Sequence, residues 1–147
     1  MLPFLVVLIM GIWEVGRMLE VCEIITNAAR EGARVAAGGT SNNIPVTVAM
    51  VQTEVLNYMT SAGLPTAAVN GAVVTLTNLS SDTWTDPCNA QPLDPFRVTV
   101  NIPAGTAYNS LRWNLFNTIT GQTSLTISAN WLSANDSQLS VSTTLPY

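Results

Sequence analysis

The sequence predicts an α+β protein: one long hydrophobic N-terminal helix, then a small polar head with one or two further helices on an antiparallel sheet of about three or four strands. Three observations carry this. Met1 to Trp13 contains no charged or strongly polar side chain. Between Pro3 and Gly38-Gly39 no proline or loop signal interrupts the chain. Beyond the glycine pair, stretches of strand-like alternation are separated by helical spacing and turn residues. The chain therefore divides into a helix, residues 1–37, and a head, residues 38–147.

The helix comes first. Pro3 is tolerated because the first turn has spare N–H groups. At ~1.5 Å per residue the helix would be about 55 Å long, more than a small head needs. The apolar run MLPFLVVLIMGIW is 13 residues, short of the roughly 20 that span a bilayer. It lacks the basic start and small-residue cleavage site of an ordinary signal peptide. Glu14, Arg17, Glu20, Glu23, Arg30, Glu31 and Arg34 follow. Glu14 and Arg17 are three apart and can meet on one face. A buried charge left alone costs several kcal/mol, so the two are expected to be bridged within or between subunits. Asn27, Arg30, Glu31 and Arg34 make a polar stripe, while Ala28, Ala29, Val35 and Ala36 face elsewhere, with Gly32 and Ala33 between. Gly11, Gly16 and Gly32 each cost a helix about 1 kcal/mol against alanine. Such residues are kept where a second helix comes close, which points to packing of this helix with copies of itself. The alternative is an anchored helix with a solvated, charged stem.

The stretch "GIWEVGRMLEVCEIITNAAREGARVAAGG" resembles the N-terminal signature of TadE-like proteins, pilin and pseudopilin relatives of the tight-adherence (Tad) pilus systems. In that family an apolar L-P segment leads into G-I-x-E-x-G-R and then N-A-A-R-E-G-A-R. Here these are Leu2-Pro3, Gly11 to Arg17, and Asn27 to Arg34. The resemblance implies a subunit delivered to the inner membrane, cleaved by a prepilin peptidase, handled by the pilus assembly machinery, and incorporated into or associated with an extracellular filament. Family members carry a basic leader, a cleavage glycine and a glutamate just before the L-P, and this sequence shows none of them. If the mature chain starts at Met1, Glu14 is its first carboxylate, about 20 Å along the helix from the amine.

In the head, Asn43 is the expected N-cap of a helix from Pro45 to Ala62, with Val48, Val51, Val55, Met59 and Ala62 on its apolar stripe and Gly63 and Pro65 ending it. Ala72 to Leu79 reads as a strand. Phe96, Val98, Val100 and Ile102 alternate with Arg97, Thr99 and Asn101; Leu125, Ile127, Ala129 and Trp131 alternate likewise. Leu139 to Leu145 is a further, edge strand. Tyr108, Leu111, Leu115 and Ile119 mark a short helix closed by Gly121, with Trp113 and Phe116 off its stripe.

Composition narrows the function. Gly38 to Tyr147 holds 17 Thr, 11 Ser and 12 Asn but only seven charged residues, so hydroxyls and amides must wet the surface. There is no Lys and no His, the net charge is −4, and the five Arg are scattered. No basic patch follows a phosphate backbone, which argues against a nucleic-acid partner. Without His, the usual general base is missing, and no motif places a carboxylate pair; neither an enzyme nor a cofactor is expected. Asp82, Asp86 and Asp94 bracket Cys88 in a loop that could bind calcium, although a solvated acidic loop is the plainer reading. Asn78 and Asn135 begin N-x-Ser glycosylation patterns. Cys22 and Cys88 lie in settings too different to favour a disulfide. The leading expectation is a structural subunit of a pilus-like filament, a homo-oligomer assembled through the N-terminal helix, held at the inner membrane before assembly and exposed on the cell surface after it. The runner-up is a minor pseudopilin or tip adhesin that presents aromatics such as Trp84 and Trp113; a monomeric lipid-anchored domain is the third.

Overall fold

The computed structural model describes residues 2–41, 44–111, 121 and 123–134. The first helix, α1, runs over Leu2–Ala37 and stops where Gly39 turns to a φ of +62°, a conformation glycine adopts without strain. From Val21 onward one face of α1 is buried, at Val21, Ile25, Ala28, Ala29, Gly32, Ala33 and Ala36, the three-to-four spacing of an amphipathic helix. This face lies chiefly on α2 (Val48–Ser61), then on β5 (Leu125–Leu132) and β4 (Pro95–Ile102). The last turns of α1 are thus part of the core that the head builds, and the first turns are not.

Helix α2 starts three residues later than the sequence reading places it. Ile44–Pro45 (β2) pairs back on Thr40–Ser41 (β1) in a short antiparallel ribbon, which holds Pro45 out of the helix. Thr47 is the N-cap, its side chain accepting from the Met50 N–H at 3.4 Å. Asp86 accepts a second orphan donor, the Val48 N–H, at 3.1 Å. Asn43, the expected cap, lies outside the described residues. Val51, Val55 and Met59 are buried as the stripe requires, whereas Ala62 is the exposed C-cap. Gly63 then takes a φ of +83°.

A helix absent from the sequence reading, α3 (Thr66–Gly71), follows and buries Ala68 and Val69. It packs against α4 (Thr106–Asn109), where a Cβ at Gly71 would overlap Ala107. Tyr108 and Leu111 are buried here as expected. The remainder of the helix expected to reach Ile119, with Trp113 and Phe116, lies outside the described residues, as does the expected strand Leu139 to Leu145.

The sheet has the order β3-β4-β5, all antiparallel, with β3 at Val73–Asn78. Val98 sits between Leu76 and Ala129, and Val100 between Val74 and Ile127. Phe96, Val98, Val100 and Ile102 of the central strand are buried. The outer face carries Thr75, Arg97, Thr99, Thr126, Ser128 and Asn130, laced by Arg97 Nε donating to Asn130 Oδ1 at 2.8 Å and Thr126 Oγ1 to Asn101 Oδ1 at 3.3 Å. On the β3 edge, Gln52 of α2 donates to the Val74 carbonyl at 2.9 Å, occupying an acceptor that another strand would otherwise find. At the far end the Ala134 N–H donates to the Ala37 carbonyl at 2.9 Å, tying the chain after β5 to the end of α1.

Candidate assembly interface

Above Val21, α1 leaves the head and stands in the open. Every large apolar side chain from Phe4 to Ile9 is exposed, as are Ile12, Trp13, Val15 and Leu19; Phe4 is 72% accessible, and Ile12 and Leu19 are 65%. An exposed apolar surface of this extent marks an interaction site. Among the described residues no helix is long and apolar enough to cross a membrane, in line with the shortness of the 13-residue run.

The three glycines of α1 have different surroundings. A Cβ built at Gly11 or Gly16 meets nothing within 4 Å. A Cβ at Gly32 would overlap Val55 Cγ2 of the chain's own α2 and would lie 3.4 Å from Val51 Cγ1. The small-residue stretch around Gly32 is therefore used inside the chain. The close approach expected of it is supplied at Gly32 by α2 of the same chain. Gly11 and Gly16 remain open to a partner.

The charges are also distributed differently. Arg17 pairs with Glu20 at 3.5 Å, not with Glu14. The spacing is three residues either way, but Glu14 lies on the head side of α1, the side that continues into Val21 and Ile25, while Glu20 shares the exposed side with Arg17. Glu14 is half-buried, and its Oε1 is shielded from solvent without a hydrogen-bond partner among the described residues. It borders a groove of about 780 Å³ between α1 and α4, lined also by Trp13, Arg17, Asn109 and Leu111. Lower down, Arg34 clasps Glu31 through two hydrogen bonds, at 2.9 Å and 2.6 Å, and this guanidinium holds the Glu31 carboxyl below its ordinary pKa. Arg30 is exposed and Asn27 half-buried.

The other sequence-derived candidates fall apart in space or serve the fold. Asp82, Asp86 and Asp94 do not converge: among the described residues no group of three or more His, Cys, Asp or Glu could hold a metal ion. Asp86 caps α2, Asp94 Oδ2 accepts from the Gln91 N–H at 2.8 Å, and the Asp82 carbonyl accepts from Asn78 Nδ2. The carboxylates of Asp86 and Asp94 are thus occupied by backbone donors. Asn78 sits in a tight turn in which its Oδ1 accepts from the Ser80 N–H and hydroxyl, at 2.8 Å and 2.9 Å; Asn135 lies outside the described residues. Trp84, expected as an exposed adhesive aromatic, is half-buried edge-on to Phe96, with ring centroids 6.3 Å apart. Cys22 and Cys88 are both thiols, and burial pushes the Cys22 thiol above its usual pKa. Exposed large apolar side chains that the sequence reading missed lie at the opposite end of the head: Leu93, Trp131 and Leu132. Their signal was the doublet Trp131-Leu132, where the alternation of β5 ends with two large side chains on opposite faces.

Comparison with known proteins supports the resemblance in the N-terminal motifs. Residues 1–34 match the model of the family described as TadE-like protein. The match covers the open half of α1 and most of the half buried in the head. No curated protein and no solved structure matches the chain.

Proposed function

We propose that this chain is a structural subunit of an extracellular, pilus-like filament, assembled by packing the open half of α1 against the same helix in other copies, with the head forming the outer surface. The observation that carries this is the row of large apolar side chains from Phe4 to Leu19 exposed on a helix whose other half is locked into the head. Burying apolar surface from water is worth about 25 cal/mol per Å²; in lipid that gain is small, and close packing and polar contacts must set the geometry. Gly11 and Gly16, where an added Cβ meets nothing within 4 Å, are the positions for close approach. Glu14, shielded and without a hydrogen-bond partner among the described residues, is the acceptor for a donor from a neighbouring copy. The TadE-like match over residues 1–34 supports a place among Tad pilus components: held at the inner membrane before assembly, processed by a prepilin peptidase, handled by the assembly machinery and exposed at the surface afterwards. In this reading the chain works by assembly and catalyses nothing.

A second reading, a minor pseudopilin or tip adhesin, is favoured by the exposed apolar side chains Leu93, Trp131 and Leu132 at the end of the head away from the open half of α1. Shearing surface material from the native host and combining negative-stain microscopy with quantitative gels separates the two. A filament subunit is the main protein of the fibres, and a minor subunit is a trace component. Complete absence from sheared fibres refutes both.

A further inference from the structure

Four of the seven charged side chains of α1 are paired within the chain. Arg17 pairs with Glu20, and Arg34 with Glu31. On the outward face this leaves Glu23 and Arg30, both exposed and neither in an ion pair or hydrogen bond among the described residues. They are seven residues apart, two helical turns, so they share a face but are separated by about 10.5 Å along the axis, too far to meet each other.

The same seven-residue interval runs through the apolar part of that face. Leu5, Ile12 and Leu19 repeat by seven, and so do Ile9, Gly16, Glu23 and Arg30. Two parallel copies of α1 displaced by seven residues bring Leu5 level with Ile12, Ile12 level with Leu19, Ile9 level with Gly16, and Glu23 level with Arg30. Apolar meets apolar, the glycine receives a branched side chain, and the two unpaired charges meet with opposite sign. A displacement of eleven residues would instead offer Glu23 to Arg34, but it sets Ile9 and Ile12 beside Glu20 and Glu23, and Arg34 is already clasped by Glu31. Among the described residues the head packs on the opposite face of α1 from Val21 onward, and higher up Ile12 and Gly16 also border the groove beside α4.

We infer that the partner of this outward face is a second copy of the chain, staggered by two helical turns, with Glu23 of one copy paired to Arg30 of the next. The inference rests on the proposed self-assembly and adds its register. The test is charge reversal in the native host, read as filament yield. Glu23→Arg and Arg30→Glu each lower the yield at least tenfold, and the double reversal restores it to within about twofold of the unaltered chain. Because reversal could disturb folding, cysteine pairs provide an independent readout, with Cys22 and Cys88 changed to serine. Oxidised fibres of Glu23→Cys/Arg30→Cys give a ladder of linked copies, and those of Glu23→Cys/Arg34→Cys do not. If the unaltered chain forms no fibres, self-assembly itself is wrong. If fibres form but single reversals leave the yield unchanged, if the double reversal restores nothing, or if linkage is stronger with position 34, the register is wrong while assembly stands.

Discussion

The contact between Gly32 and Val55 can be tested by exchanging their sizes. Gly32→Ala adds a methyl that overlaps Val55 Cγ2 and lies 3.4 Å from Val51 Cγ1 and 3.7 Å from Val98 Cγ1. Overpacking of a core costs about 1–3 kcal/mol, and the better helix propensity of alanine returns about 1 kcal/mol, so the net loss is between about 0 and 2 kcal/mol. Val55→Ala removes two buried methyl groups, about 0.8 kcal/mol each in transfer, plus a cavity penalty, for a loss of about 2–3 kcal/mol. In the double variant the new methyl enters the vacated space. The overlap disappears, the propensity gain remains, and the loss is smaller than that of Val55→Ala alone. The two changes therefore couple by about 1–3 kcal/mol in the favourable direction. Urea unfolding of the full chain in mild detergent, followed by far-UV circular dichroism, measures all four corners of the cycle. Additivity within about 0.5 kcal/mol would refute the view that α1 and α2 meet through this glycine.

Other outcomes follow from the same geometry. Gly16→Ala meets nothing in the single chain, so it raises the helix content of isolated α1 slightly, by about 1 kcal/mol of propensity, yet lowers filament yield in the host. Glu14→Ala leaves unfolding of the head unchanged and reduces assembly; normal fibre yield would remove Glu14 from the interface. Asp86→Ala leaves the Val48 N–H without its acceptor and destabilises the head by about 1 kcal/mol in urea titration. The folded-state pKa of Glu31 lies below its unfolded value because Arg34 hydrogen-bonds the carboxylate, so the pair stabilises above the ordinary glutamate range, about 4.3, and that contribution is lost as pH falls through the lower folded value. In carboxyl-resolved NMR titration, Arg34→Gln moves the Glu31 midpoint upward.

Much of this fold can be read from side-chain periodicity. The alternation from Phe96 to Ile102 locates β4, which is covered on one face and wet on the other. Val51, Val55 and Met59 mark the buried stripe of α2. What escapes is structure set by partners distant in sequence. The six residues of α3 are too few for a helical period to show. The start of α2 depends on a ribbon pairing and on Asp86, 38 positions away from Val48. The close helix contact at Gly32 was legible in kind but not in allocation. Alanines and glycines announce that a helix must approach, but the sequence does not say whether that helix is α2 or another molecule; the structure gives Gly32 to α2, while a Cβ at Gly11 or Gly16 meets nothing within 4 Å. Arg17 has glutamates three residues before and after it, so spacing alone could not choose between Glu14 and Glu20.

The uninterrupted run of α1 from open rod to buried stripe has a mechanical consequence. Between Phe4 and Ala37 there is neither proline nor a break in the helix, so no joint lies between what grips and what is displayed. Tension on the outer surface passes straight down one stiff shaft, and the hydrogen bond from Ala134 to Ala37 fastens the sheet to the shaft's lower end. A fibre made of such units would resist pulling through the peptide chain itself and would yield where neighbouring shafts slide past one another.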